Sequence, residues 1–121
     1  MIHALVSHGK HRFHCRVART LAAQVRGLMF SLSLKQHEGL LIDFGTTRTD
    51  LVHMLFVFFP LCVVCLDEQG RVVAVTKKAY PFSPCAAWVR CRYVLEVRPD
   101  EGKDFEIGQR LTIKLLKKNS P

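Results

Sequence analysis

The sequence is poor in acidic residues. It has 10 aspartates and glutamates against 18 lysines and arginines, which leaves a formal net charge of +8. Chemistry that depends on paired carboxylates has few candidate residues here, and no convincing carboxylate pair is present. The excess of positive charge permits anionic partners such as nucleic acid. It is equally compatible with a soluble protein whose copies repel one another, so charge alone leaves both interpretations open.

The familiar catalytic motifs are also missing. There is no glycine-rich phosphate loop, no Gly-x-Ser-x-Gly elbow and no His-Glu-x-x-His segment. The sequence therefore predicts no catalytic residue, no metal and no cofactor, and it favours a binding protein over an enzyme. An enzyme with a cryptic site is kept as a further alternative.

No apolar run reaches the ~20 residues of a membrane-spanning helix. The longest run lies between Asp50 and Asp67, where sixteen residues are apolar except for His53. Pro60 interrupts it, and it is rich in β-branched and aromatic residues, so it predicts two buried strands joined by a break. We expect no membrane insertion.

Cysteines and histidines are the remaining candidates for metal chemistry. The five cysteines are an odd number, and no basic segment with a long apolar run opens the chain. Both observations predict reduced thiols and a cytoplasmic location. Cys62 and Cys65 are three apart in a predicted strand, so their thiols project to opposite faces and cannot share an ion. His8, His11 and His14 cross a turn into a strand without a complementary acid or thiol cluster, so no metal site is predicted there.

Length and patterning predict a single domain over residues 1–121, since 49% of the chain is hydrophobic. Strands are predicted within residues 2–17 (a hairpin), 39–44, 51–59, 61–66, 71–78, 90–98 and 110–116, with a loop at 45–50 and a basic tail at 117–121. Thr20 as N-cap, followed by apolar residues at helical spacing, predicts one short α-helix at about residues 20–29. The predicted fold is mostly β, a β-sandwich or barrel-like domain with one helix.

The strand at 90–98 alternates most cleanly. Its apolar residues are predicted to face the core, and its charged residues are predicted to face outwards, with Val94 as the exception. These outward residues are Arg90, Arg92, Glu96 and Arg98.

The first functional hypothesis is a binding or accessory module that holds a small or oligomeric ligand at one end of the β domain. His53 interrupts the longest apolar run near a strand end, where binding residues often lie. A strand-end histidine bonded to backbone or water is the simpler interpretation. The candidate ligand-binding residues are Arg26, His53, Arg92 and Glu96.

The alternative is nucleic-acid binding through a cationic sheet face. Its candidate residues are Lys77, Lys78, Arg90, Arg92 and Arg98. Sheets that bind nucleic acid usually add exposed aromatic side chains for stacking, and Tyr93 points to the other face by alternation. A solvated outer face is the simpler interpretation of these cations.

Several segments, in this order, resemble one family. They are Thr20; Arg26-Gly27-Leu28-Met29-Phe30; Gly39-Leu40-Leu41-Ile42; Val52-His53; Pro60-Leu61; Leu66-Asp67-Glu68-Gln69-Gly70-Arg71-Val72-Val73; Tyr93-Val94-Leu95-Glu96; and Ile107-Gly108-Gln109-Arg110-Leu111. The sequence is similar, over about residues 14–113, to the bacterial and archaeal family called domain of unknown function 192, or uncharacterised ACR. The resemblance implies a compact, mostly β fold and no established activity.

Among the departures of the sequence from the family pattern, two fall at cysteines in the longest apolar run. The family usually has aspartate directly after the Pro-Leu pair, where this chain has Cys62, and commonly has phenylalanine at the position of Cys65. If the family's aspartate were catalytic, this chain would be inactive. If that aspartate only satisfied backbone groups, Cys62 would replace it at modest cost.

Overall fold

A computed structural model describes residues 2–19, 34–52, 59–82 and 87–116. The helix predicted at about residues 20–29 lies outside these ranges, as do residues 53–58 of a predicted strand and the basic tail. Seven strands and one 3-10 turn are described: β1 His3–His8, β2 His11–Ala18, β3 Glu38–Val52, β4 Leu61–Leu66, β5 Val72–Ala79, β6 Ala87–Val97, β7 Thr112–Leu116 and the turn Pro99–Glu101. The predicted mostly β fold is confirmed.

The seven strands form one sheet in the order β5-β4-β6-β3-β2-β1-β7. Neighbouring strands are antiparallel except β2 and β3, which run parallel. The predicted hairpins β1–β2 and β4–β5 are both present. The residues just before the two outermost strands meet at one isolated bridge, between Arg71 and Arg110. The sheet is therefore curled and barrel-like without being closed.

The sheet has an apolar cluster on each face. The inner cluster takes buried residues from β1 to β6 and is joined by partly buried Ile113 of β7, so it fills the curl of the sheet. The outer cluster takes its strand residues from β2 to β6 only. Cys62 belongs to the inner cluster and Cys65 to the outer one. The prediction that these two thiols project to opposite faces is confirmed.

Two local predictions are wrong. Residues 45–50 were expected to form a loop, but they lie inside β3, where the pairing with β6 breaks between Asp43 and Arg48 and then resumes. Polar residues there mark a bulge instead of the end of a strand. Glu96 was expected to face solvent, but it is only 4% exposed because apolar residues also cover the outer face of the sheet.

Strand registers define two ends of the curled sheet. At one, the capped end, Val97 of β6 pairs with both Gly39 and Cys62. At the other, the pocket end, Tyr93 of β6 pairs with both Asp43 and Leu66.

The segment after β6, residues 99–105, is the cap that closes the capped end. Phe105 enters the inner cluster, where it is 1% exposed, and Gly102 lies directly over the thiol of Cys62. The Lys77 ammonium donates hydrogen bonds to the carbonyl oxygens of Gly102 (2.9 Å), Lys103 (3.0 Å) and Phe105 (2.6 Å). One lysine therefore satisfies three loop carbonyls that no strand partner reaches.

Candidate functional site at the pocket end

A pocket of about 400 Å³ lies at the pocket end, between the β4–β5 turn, β6 and the start of β7. Its lining residues are Glu68, Gln69, Gly70, Tyr93, Arg110, Leu111, Thr112 and Ile113. This volume is in the range of small-molecule sites. The lining combines two charged side chains and several hydrogen-bonding groups with an aromatic ring and two aliphatic side chains.

The β4–β5 turn forms one wall because its sequence favours a tight turn. The Asp67 carboxylate accepts hydrogen bonds from the backbone N–H groups of Gln69 and Arg71, each at 2.9 Å. Gly70 has φ of +82°, and a side chain there would meet the carbonyl oxygen of Leu111 at 2.5 Å. Glycine therefore allows the turn to lie against the residues before β7, where the Leu111 N–H donates to the Gly70 carbonyl at 2.8 Å.

Two opposite charges line the pocket without pairing with each other. Glu68 accepts one hydrogen bond from the Thr47 hydroxyl, at 3.0 Å, through Oε1. The Nε of Arg110 donates to the Gln69 carbonyl at 3.0 Å, which fixes the guanidinium at the pocket wall. No ion pair joins Glu68 to Arg110, although both are described.

A buried carboxylate lies beside this pocket. Asp43 is 5% exposed and accepts hydrogen bonds from Arg92 Nε at 3.0 Å, Arg19 Nε at 3.3 Å and the Gly45 N–H at 2.8 Å. The bulge in β3 makes the last contact available, because it turns the Gly45 amide back towards the carboxylate. Three donors from three segments thus converge on one acid.

The charge of Asp43 is stabilised by these donors. Burial by itself raises the pKa of the carboxyl, but the Gly45 N–H, Arg92 and Arg19 outweigh it, so the net pKa is lowered. The hydrogen bond to Asp43 raises the pKa of Arg92 in turn. Asp43 is therefore an ionised anchor for two arginines at neutral pH, and it is unsuited to act as a general acid.

Arg92 connects this cluster to the pocket. Its guanidinium carbon lies 4.9 Å from the centre of the Tyr93 ring, and Tyr93 lines the pocket. The charge of Glu68 also acts on Arg92. Asp43 thus holds Arg92 against one wall of the pocket, and the lining aromatic ring is fixed by that contact.

The residues predicted to bind a ligand are not brought together by the described structure. Arg26 and His53 lie outside the described residues. Arg92 borders the pocket through Tyr93. Glu96, three residues after Tyr93 in β6, lies on the outer face.

Glu96 has a different environment from Asp43. Burial raises its pKa to about 7, and no hydrogen bond or ion pair to its carboxyl is found in the described part of the chain. The pKa of Cys65 is raised most by a hydrogen bond with Cys91, then by burial and by the charge of Cys91. The charge of Glu96 adds the smallest contribution. Glu96, Cys65 and Cys91 therefore form a buried polar cluster on the outer face.

The thiols of the described residues offer no nucleophile. Burial raises the pKa of Cys15 to about 12, and burial, partly offset by the Lys77 charge, raises that of Cys62 to about 11. Because the thiolate is the reactive form, these groups are inert at neutral pH. Cys62, the position at which the resemblance implies aspartate, is fully buried at the capped end and does not line the pocket.

His8 and His11 stack on each other, with ring centres 6.1 Å apart, whereas His14 contacts His3. His14 lies 3.2 Å from His3, His11 lies 3.1 Å from Asp104, and His8 stacks on Phe105. Among the described residues, no group of three or more His, Cys, Asp or Glu side chains could hold a metal ion.

The cations of the nucleic-acid hypothesis lie mainly on two strands that are not neighbours, and several of them have partners within the protein. Strand β4 lies between β5, which carries Lys77 and Lys78, and β6, which carries Arg90 and Arg92. Lys77 binds the cap, Arg92 binds Asp43, and Arg98 is paired at 2.9 Å with Asp100. Lys78 lies over the Tyr80 ring, 5.7 Å from its centre.

Sequence reasoning missed Asp43, Glu68 and Arg110. The Asp67–Gly70 turn is readable from its sequence, but its contact with residues 110–113 depends on the bridge between the residues just before the two outermost strands. That pairing joins positions about forty residues apart and leaves no local periodicity.

The fold and the pocket define a small barrel-like β domain with a polar site at one end. The sequence profile of domain of unknown function 192, described as Uncharacterized ACR, matches residues 4–113, and the chain belongs to this family. No curated protein matches the chain in sequence.

Two solved structures are similar. A proposed transcription regulator from Sinorhizobium meliloti has a TM-score of 0.79 at 22% identity, over 93% of this chain and 92% of that one. A protein of unknown function from Novosphingobium aromaticivorans has a TM-score of 0.80 at 22% identity, over 92% of this chain and 84% of that one. At this identity the likeness shows the fold alone.

Among the described residues, no helix has the length and apolar character needed to cross a bilayer.

Proposed function

We propose that this protein is a binding module, without catalytic activity, that holds a small polar ligand in the pocket at the pocket end. The observation that carries the proposal is that Glu68 and Arg110 line a pocket of about 400 Å³ without pairing with each other. Both side chains are exposed, and they stand beside an apolar wall, which is the combination of a few polar groups with apolar surface that binding sites use.

Three features support this site over other surfaces. Tyr93, Leu111 and Ile113 provide an apolar wall. The hydrogen bond of Arg110 to Gln69 and the contact of Arg92 with Tyr93 hold the lining side chains in place before a ligand arrives. The opposite end is closed by the cap, so the pocket end is where the inner face remains accessible. We further propose one domain over residues 1–121 and a cytoplasmic location, which the free thiols of the four described cysteines suit.

The test is a titration of ¹⁵N-labelled protein with a panel of amino acids, sugars, nucleotides and short peptides, read by amide chemical shifts. We expect saturable shifts centred on Gly70, Tyr93 and Leu111. Thr112→Trp, which places a bulky ring at the pocket wall, should weaken binding about tenfold or more. Lys114→Trp, on the same strand but not in the lining, is the matched control and should bind normally. Shifts that avoid the pocket end, or equal affinity of both variants, would contradict the proposal.

Nucleic-acid binding is the second candidate function, and the net charge of +8 is the observation that favours it. The transcriptional role proposed for the Sinorhizobium meliloti protein is in line with it. It is the weaker candidate because Lys77, Arg92 and Arg98 are already engaged within the protein. If it holds, binding to DNA or RNA should weaken steeply with salt, and Arg90→Gln should reduce the salt dependence by about one ion. No binding at low salt would remove this candidate.

The cryptic enzyme is the third candidate. Its site would need the acid that Cys62 replaces, and the only described surroundings of Cys62 are the core and the cap. A Cys62→Asp variant screened beside the parent on a broad substrate panel tests it, and turnover by either protein would revive it.

A further inference from the structure

The two charges of the pocket specify the kind of ligand. Glu68 uses Oε1 for Thr47, and no described residue binds its Oε2. Arg110 uses Nε for Gln69, and no described residue binds its two terminal nitrogens. Each charge is therefore held by one hydrogen bond while part of it stays available to the pocket.

These charges have opposite sign and lie more than 4.0 Å apart, since no salt bridge forms between them. Glu68 and Arg110 are both exposed, so a ligand with a single charge would pair with one of them and leave the other to water, and it would gain only one charged contact. A ligand with both charges would satisfy the two together. Arg110 is suited to a carboxylate because its free nitrogens can donate two parallel hydrogen bonds.

We infer that the pocket binds a small zwitterion, a molecule with a protonated amine for Glu68 and a carboxylate for Arg110, of the amino-acid class. This inference rests on the proposed function. The aliphatic side chains of Leu111 and Ile113 and the ring of Tyr93 would then contact the carbon skeleton of the ligand. The volume of about 400 Å³ accommodates a single amino acid or a dipeptide and excludes a longer extended peptide from full enclosure.

The ligand series in the experiment varies the number of charges and the distance between them among small unbranched molecules. Glycine, β-alanine, γ-aminobutyrate and glycylglycine separate the two charges by increasing distances. Propionate and propylammonium carry one charge each. All are titrated into ¹⁵N-labelled protein at low ionic strength, and the amide shifts of Gly70 and Leu111 give the dissociation constants.

We expect at least one zwitterion to bind about tenfold or more tightly than either singly charged compound. Glu68→Gln and Arg110→Gln should each remove this preference. The charge-reversed double variant Glu68→Arg with Arg110→Glu should restore it, since the charges are exchanged and not lost. Arg12→Gln removes one exposed positive charge from β2, outside the pocket lining, and should leave the preference unchanged.

Equal binding of zwitterions and singly charged compounds, or a preference unaffected by Glu68→Gln, would overturn the inference. Pocket shifts with a sugar or nucleotide but with no zwitterion would also overturn it while the proposed binding function stands. An absence of pocket shifts with every compound in both panels would end both proposals.

Discussion

The two ends of the curled sheet differ in how the inner face is covered. At the capped end, the inner face is covered by Phe105 and by Gly102, and Lys77 satisfies the loop carbonyls. At the pocket end, the inner face ends in Tyr93 and in Asp43, which pairs with it across the strands. One end is filled by its own chain, and the other is lined with held polar groups and left accessible.

The buried carboxyls near each end show the same contrast. Asp43, at the pocket end, has three donors, and its pKa is lowered. Glu96, one residue before Val97 of the capped end, has no described donor, and burial raises its pKa to about 7. One acid is stabilised as an anion and the other is stabilised neutral. The difference shows that Asp43 fixes Arg92 at the pocket wall, whereas the charged groups of the capped end, Lys77 and Glu101, bind the loop carbonyls and the His37 N–H.

The largest effect is expected from Gly102→Ala, which breaks the cap. The added Cβ would lie 2.8 Å from the Cβ of Cys62 and closer still to its thiol, and both are held by the core. We expect the free energy of unfolding to fall by about 3 kcal/mol. Urea denaturation gives the value, and Lys103→Ala, an exposed neighbour, is the control. A loss no larger than that of the control would mean that the cap is not tightly packed.

Glu96→Gln tests the neutral acid. A carboxyl whose pKa rises from 4.5 unfolded to about 7 folded binds its proton more tightly when folded. Wild-type stability should therefore fall as pH rises from about 4.5 to 7 and stay level above that. The amide variant lacks this loss, so it should match wild type near pH 4.5 and be more stable by up to about 3 kcal/mol at pH 8. Parallel stability curves for the two proteins would show that Glu96 is ionised or paired in the fold.

Lys77→Met tests whether the lysine holds the cap. The substitution keeps the apolar stem and leaves the carbonyls of Gly102, Lys103 and Phe105 without their charged donor. We expect unfolding to become easier by about 2 kcal/mol, with faster amide exchange in residues 102–105. Lys103→Met changes a neighbouring exposed lysine and should change neither quantity. Identical exchange in the two variants would speak against a role for Lys77.

Asp43→Asn is expected to have the smallest effect on stability. The amide can still accept from Gly45 but loses its charge towards Arg19 and Arg92, which are both partly exposed, so we expect a loss of about 1–2 kcal/mol at pH 7. Because the folded pKa of Asp43 is lowered, its contribution is present above the unfolded value of 3.8 and is lost as pH falls further. The difference between variant and wild type should therefore shrink below about pH 4.

The matched control for Asp43→Asn is Asp100→Asn, which removes an exposed pair with Arg98 and should cost less than about 1 kcal/mol. The comparison is carried out by denaturation at pH 7 and at pH 3. A pH-independent loss for Asp43→Asn would show that packing, and not charge, accounts for it.

Much of the fold could be predicted from the sequence because it is recorded in local patterns. Alternation gave the β1–β2 and β4–β5 hairpins, and strand geometry placed Cys62 and Cys65 on opposite faces. The bulge in β3 was not predictable, because polar residues in a bulge have the same composition as a loop. The burial of Glu96 also escaped prediction, since one polar residue in an alternating strand normally faces water.

The candidate site was predicted only in part. Arg92 was identified from the charge pattern of β6, but its partner Asp43 was not, because their contact depends on the register of β3 and β6. Glu68 and Arg110 meet through the bridge just before the outermost strands, a pairing set by the curvature of the whole sheet. Arg26 and His53 stay predictions.

The most direct test of the contrast between the two ends is a crystal structure of the protein soaked with a cocktail of small polar molecules that includes glycine, β-alanine and glycylglycine. The account predicts electron density for a bound molecule between Glu68, Tyr93 and Arg110, with Phe105 and Gly102 still closing the other end. Density for a ligand against Cys62 at the capped end, with the pocket holding water alone, would contradict it.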